Sequence, residues 1–344
     1  MKELKPYSSY ITTFDAVRCF AAGAVVLDHS DVLRCNLTQV AMKTFFILSG
    51  TLITRRMIHG RDKYTLGQFM SRRAIRIIPA NFLMIAVAFW RLPQLWLGAL
   101  MSVLYVSNLR PPNAWAPTGQ VWMHPYMSHT WSLSVEEAYY CIWPFLFYKL
   151  GFRKALAIAV GYLVLVWSML LLGPLTFFGE ELLRNDNFLD HSCMVCFAPL
   201  AIGCILAFID PFLIKHGWKV LLCGAVLATW ATAITTTVLA HQTLLMNVQA
   251  LGIILMAHGI WSTDTWIRVA LDNPVFRGLG TISYGLYLYN IMILGNWTIG
   301  WGDSATSITI TGWTMVAATV LIATASYLWF EKPLLNLRDG KKTA

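Results

Sequence analysis

Runs of about twenty mostly apolar residues recur along this whole chain, and no other feature of the sequence restricts its fold as strongly. Examples are "NFLMIAVAFW", "ALAIAVGYLVLVWSMLLLG", "VLLCGAVLATWATAI" and "MVAATVLIATA". A helix needs roughly 20 such residues to cross the hydrocarbon core of a bilayer. Only 12% of the residues are charged and 57% are hydrophobic, with a mean hydropathy of +0.57. Soluble domains carry roughly 25% charged residues. The expected fold class is therefore an all-α integral membrane protein, a bundle of about ten transmembrane helices. Residues 1–344 are expected to form a single transmembrane domain, because no stretch of ordinary soluble-domain size is left over. The opening "MKELKPYSSYITTFDAVRCF" has no compact apolar core followed by a small-residue cleavage site. The first span is thus expected to act as an uncleaved anchor.

Spans are expected near residues 13–30, 38–57, 72–91, 131–149, 155–174, 191–209, 219–240, 245–262, 278–297 and 309–330. The stretch from Leu92 to Asn108 is apolar but ambiguous, and charge decides it. If it does not cross, every second connection is basic: Lys2 and Lys5, then Arg55 through Arg76, Lys149 to Lys154, Lys215 and Lys219, Arg268 and Arg277, and finally Lys332 to Lys342. The opposite side keeps Arg34, Arg91, Arg110 and Arg184 and gathers Glu180, Glu181, Asp186 and Asp190. Counting residues 92–108 as a span would invert this bias. The positive-inside rule therefore gives ten spans, both termini cytoplasmic, and a re-entrant or interfacial segment near residues 92–108.

The net charge of +9 is spent on this topology. No basic stripe with interleaved aromatics exists for a nucleic acid to follow. Six of the seven cysteines lie at apolar segments, as small packing residues do, and Cys35 falls in a loop. Cys193 and Cys196 form a CxxC near His191, yet no second ligand pair follows, so no metal is expected.

Ionisable groups inside spans are costly and mark either a function or a buried pair. Three sets stand out. On the first span, Arg18 and His29 return to within about 20° of one face after a rise of roughly 16 Å. At the start of the third span, Arg73 and Arg76 project from one side as an i, i+3 pair suited to an anion, or to lipid headgroups. On the fourth, His129, Ser132 and Glu136 share a face that Tyr140 extends, with Glu137 about 100° away beside Ser134. By topology, the His29 and His129/Ser132/Glu136 positions fall toward the outer leaflet, and the Arg73/Arg76 pair toward the inner one. Such a path suits an anionic ligand entering from inside and chemistry near the outer side.

The ordered fragments "FDAVRCFAAGAVVLDHS", "TFFILSGTLITRR", "RRAIRIIP", "HTWSLSVEEAYYCIWP", "LAIGCILA", "LGTISYGLYLYN" and "ASYLWFEKPL" resemble the acyltransferase-3 family of bacterial membrane O-acyltransferases, across nearly the whole chain. The resemblance implies an acyl-CoA co-substrate, acetyl-CoA above all, on the cytoplasmic side of the bacterial inner membrane. It implies an acceptor hydroxyl of a surface carbohydrate or glycolipid reached from outside, with membrane lipids as neighbours and no bound cofactor. The family's Arg-x10-His pair falls on Arg18 and His29, its Arg-x-x-Arg pair on Arg73 and Arg76, and its WSLxxEE element on Trp131, Ser132, Leu133, Glu136 and Glu137. Where the family often has a His, this chain has Asn290. The hydrolase-like domain of larger members is not expected.

On this reading His29 is the general base and Glu136 orients or charge-stabilises its imidazole. Arg18, Arg73 and Arg76 bind the acyl donor, while His129, Ser132 and Glu137 support the site. Direct transfer is expected, since no nucleophile elbow or Cys/His spacing offers an acyl-enzyme. Trp115, Trp122, Tyr126 and Trp131 offer a stacking surface for sugar rings. The alternative is a permease or flippase that uses the same polar path without chemistry.

Overall fold

The computed structural model describes residues 11–33, 37–60, 65–109, 125–172, 193–235, 242–294 and 305–338. Its regular structure is helical, with no strand among the described residues. In chain order the helices are α1 (Thr13–His29), α2 (Leu37–Gly60), α3 (Leu66–Arg91), α4 (Trp96–Val103), α5 (Pro125–Ser128), α6 (Thr130–Leu150), α7 (Phe152–Leu172), α8 (Cys193–Phe208), α9 (Asp210–Lys215), α10 (Gly217–Thr235), α11 (Gln242–Ser262), α12 (Trp266–Leu271), α13 (Pro274–Thr281), α14 (Ser283–Leu294), α15 (Ala305–Ser326) and α16 (Lys332–Arg338). A π-helical turn, Tyr327–Glu331, joins the last two.

Each expected span overlaps described helix, residues 278–297 being divided between α13 and α14, but among the described residues fewer than the expected ten are long and apolar enough to cross. Six stretches are long and apolar enough to cross a membrane: Leu37–His59, Leu66–Arg91, Phe152–Leu171, Gly217–Thr235, Gln242–Ser262 and Thr311–Leu337. The protein is a multi-pass membrane protein. Its surface agrees, since Val164, Leu165, Leu222, Val226, Trp230 and Leu321 are all more than half exposed. Apolar side chains presented in this number need a hydrocarbon neighbour. Pro93–Leu95 forms a 3-10 turn before α4, whose eight residues span only about 12 Å. That is too short to cross.

The chain divides into two compact units. Unit 1 comprises Met1–Ala21, Gln39–Lys63 and Ala138–Gly280; unit 2 comprises Ala22–Thr38, Tyr64–Glu137 and Thr281–Ala344. In unit 1, α10 packs along α11 and α7 along α8. Its core includes Phe14, Ile47, Leu48, Ile202, Leu206, Ile254 and Trp261. Helices α2 and α8 meet backbone to backbone. A β-carbon on Gly50 would sit 2.1 Å from the Leu200 carbonyl oxygen, and one on Gly203 would sit 2.0 Å from that of Ile47. Only glycine permits that approach, a common device where helices pack in lipid.

Polar groups are buried beside this crossing. Thr54 Oγ1 donates to Cys204 Sγ at 3.0 Å and accepts from Trp143 Nε1 at 2.9 Å, while the Tyr139 hydroxyl lies 2.7 Å from the same sulfur. Arg55 and Asp210, 2% and 0% exposed, form an ion pair, and His258 Nδ1 lies 3.6 Å from the carboxylate. Cys196 is buried at the start of α8, and among the described residues no three His, Cys, Asp or Glu side chains are grouped so as to hold a metal ion.

In unit 2, α14 packs against α15, α3 and α5, and α16 packs against α3. Thr65 begins α3 with a reciprocal capping box to Gln68, so this helix starts before residue 72, the expected boundary. A chain of buried hydroxyls ties the segment after α4 to the start of α6. Ser102 Oγ lies 2.9 Å from Thr130 Oγ1, which lies 3.0 Å from Ser107 Oγ, itself 2.7 Å from Ser134 Oγ.

Candidate functional site

Unit 2 gathers most of the expected site residues. His29 closes α1 and is partly buried. Its Nδ1 lies 2.9 Å from Oδ1 of Asn290 on α14. Sequence reasoning gives that orienting place to Glu136; among the described residues the hydrogen-bond partner is Asn290. Beside it, the Asp28 carboxylate accepts from Thr38 Oγ1 at 2.5 Å.

His129 is 3% exposed, in the turn that precedes α6. Its ring meets that of Tyr287 edge to face at 5.7 Å. The Tyr287 hydroxyl donates to the His129 carbonyl oxygen at 3.0 Å and lies 2.6 Å from Ser132 Oγ. Ser132 in turn donates to the same carbonyl at 3.1 Å. Both ring nitrogens of His129 are buried, with the Leu288 backbone beside the ring. The imidazole also lies within electrostatic reach of His29. Trp131, 8% exposed, packs inward rather than offering a stacking face. Trp115 and Trp122 lie outside the described residues, as does the side chain of Tyr126.

The acidic pair and Arg73 of the arginine pair, expected near opposite leaflets, meet. Arg73 Nη2 lies 2.9 Å from Glu137 Oε1 and 3.4 Å from Glu136 Oε2, and its Nε lies 3.2 Å from Glu137 Oε1. Two features explain the difference. Helix α3 begins at Leu66, which sets Arg73 two turns inside it, and an arginine stem then reaches far enough to serve two carboxylates. Two neighbouring acids in an apolar helix are costly unless a cation holds them, and a guanidinium has the donors to do so. Arg76, one turn along, is exposed. Its charge is felt at Glu331, whose Oε1 accepts from Ser326 Oγ at 3.2 Å. Arg18, in unit 1, pairs with Asp15 at 3.1 Å.

Sequence reasoning missed Tyr287 and the role of Asn290. A signal was present: both are polar residues of an apolar helix, one turn apart at i, i+3. What periodicity does not supply is the partner helix. The arrangement places an imidazole, several hydroxyls and a carboxylate–guanidinium cluster in one unit. Together these groups can move a proton and hold an anion.

A family model described as an acyltransferase domain matches residues 11–330. The chain is 28% identical to the peptidoglycan O-acetyltransferase OatA of Listeria monocytogenes, over 97% of this chain and 57% of that protein. It is also 28% identical to the O-acetyltransferase OatA of Staphylococcus aureus, over 61% of this chain and 37% of that protein. The chain thus spans about half the length, or less, of these curated relatives. No solved structure matches it.

Proposed function

The chain belongs to the acyltransferase-3 family, and from that premise we propose that it is an O-acetyltransferase moving an acetyl group from cytoplasmic acetyl-CoA to a hydroxyl of a surface glycan. The names of its relatives make peptidoglycan the first acceptor to try. The observation that carries the proposal is His29, a partly buried imidazole held at one nitrogen by an amide oxygen.

In the proposed reaction His29 takes the proton of the acceptor hydroxyl as its oxygen attacks the thioester carbonyl carbon. The tetrahedral intermediate collapses, the C–S bond breaks, and the imidazolium returns its proton to the leaving CoA thiolate. No acyl-enzyme is formed. Arg76, exposed on α3, meets the donor's phosphates first. Arg73 joins it when phosphate oxygens exchange with its carboxylate partners. Arg18, further down α1, guides the donor. Glu136, Glu137, Ser132 and His129 shape the acceptor side. The enzyme is a single domain built of two units. It crosses the bacterial inner membrane ten times, has both termini in the cytoplasm, and carries a re-entrant segment at residues 92–108.

The test uses purified, reconstituted protein with radiolabelled acetyl-CoA and peptidoglycan fragments. Wild type is expected to move label into glycan and slowly into free acetate. His29→Ala loses about 10²- to 10⁴-fold of that rate while eluting as a folded monodisperse species. Equal rates in wild type and variant remove His29 as the base. Glycan or donor movement across the vesicle without label transfer replaces the proposal with transport.

A further inference from the structure

The hydrogen bonds of Asn290 determine more than a contact. This residue is 1% exposed on α14, and its Nδ2 donates to the carbonyl oxygens of Leu286 at 3.2 Å and Tyr287 at 2.6 Å. Carbonyl oxygens only accept. Turning the amide over would set Oδ1 against two acceptors and leave Nδ2 aimed at the imidazole, so the helix backbone itself fixes which way the side chain lies. Oδ1 is then the atom 2.9 Å from His29 Nδ1. An amide oxygen cannot donate either. The hydrogen between the two residues therefore sits on Nδ1, and in a neutral imidazole that leaves the lone pair on Nε2.

We propose that Asn290 is the positioning residue of this site: it selects the Nδ1-protonated tautomer of His29 and aims Nε2 at the acceptor hydroxyl. This rests on the reading of His29 as the base. It extends that reading by naming the proton-accepting atom and the residue that keeps it unprotonated. An aspartate in a triad does this with a negative charge. Asn290 does it with a neutral dipole, which orients the ring without drawing it toward the imidazolium form at rest. Two titratable groups lie near the ring: Asp28, next along α1, which accepts a hydrogen bond from Thr38, and His129, within electrostatic reach.

Two measurements test this. The first is ¹⁵N NMR of histidine-labelled full-length protein in detergent, with the His29 signals taken as the difference from His29→Ala. Nδ1 is expected in the protonated, pyrrole-like range and Nε2 in the pyridine-like range; the reverse pattern overturns the proposal without touching the role of His29. The second compares Asn290→Leu, which removes the acceptor, with Asn290→Asp, whose carboxyl in its protonated form can donate to a helix carbonyl as Nδ2 does and keep an oxygen facing Nδ1. Asn290→Leu is expected to lower kcat for acetyl transfer about 100-fold with the KM for acetyl-CoA within about two-fold, and Asn290→Asp to recover at least a tenth of wild-type kcat. Equal loss in both variants, or loss confined to KM, assigns Asn290 to packing and overturns the proposal. If the tautomer is as expected yet His29→Ala still transfers acetate at the wild-type rate, the base reading fails by itself.

Discussion

The two units bury ionisable groups in helices of a membrane protein and meet the cost in opposite ways. Unit 1 seals them. Arg55, Asp210 and His258 are at most 2% exposed, in the unit where α2 and α8 touch through Gly50 and Gly203. Unit 2 seals His129 but leaves the acidic pair and its arginine within reach. Arg73, Glu136 and Glu137 keep between 16% and 19% exposure, and His29 is only partly buried. A sealed ion pair serves assembly, because removing one partner strands a charge where water cannot follow. A half-open cluster retains the option of exchanging a carboxylate for a ligand anion. The same residue types therefore carry different meanings, and solvent access separates them.

Three substitutions sharpen or break this contrast. The largest effect belongs to Asp210→Ala, which removes the carboxylate that pairs with the buried Arg55 guanidinium. It should cost about 3–5 kcal/mol of stability, seen as a large fall in the detergent melting temperature. Arg55→Met with Asp210→Leu should recover most of that fall. An Asp210→Ala protein that melts like wild type but no longer transfers acetate would move this cluster into the working machinery and erase the distinction. Next is Gly203→Ala, whose new methyl meets a backbone oxygen and forces α2 and α8 apart for about 1–3 kcal/mol. Gly161→Ala on α7, with nothing within 4 Å, is the control and should hold or slightly raise the melting temperature. The smallest is Ser107→Ala, which breaks the hydroxyl chain between the α4 segment and α6 for about 1 kcal/mol. Its signature should be a lower transfer rate out of proportion to that stability loss, since it loosens unit 2 alone.

Much of the fold was legible because the bilayer imposes one length and one polarity on every span. The placements of α2, α7 and α11 follow from apolar runs alone, and charge bias marked the short α4 segment as different. Within the site, His29 and the Glu136/Glu137 pair were visible as ionisable groups in apolar helices. Their partners were not. Arg73 was placed by its nearest chain neighbours at the membrane edge, and a span begun at residue 72 hid the depth it gains from a helix beginning at Leu66. Asn290 stood out as a departure from the family pattern, but 261 positions separate it from His29 and no periodicity spans that gap. The Gly50 and Gly203 contact was unreadable for the same reason. A glycine announces permission for close approach without saying to what.

The crossing of α2 and α8 also sets a timetable for synthesis. Thr54 and Cys204, bonded in the finished molecule, are 150 residues apart in the chain. At the usual rate of about 5–20 residues per second, the ribosome needs about 8–30 s to make the second after the first. Through that interval α2 occupies the membrane with the Arg55 guanidinium still waiting for Asp210. A nascent chain stalled before α9 therefore carries Arg55 without the carboxylate that it pairs with in the finished molecule.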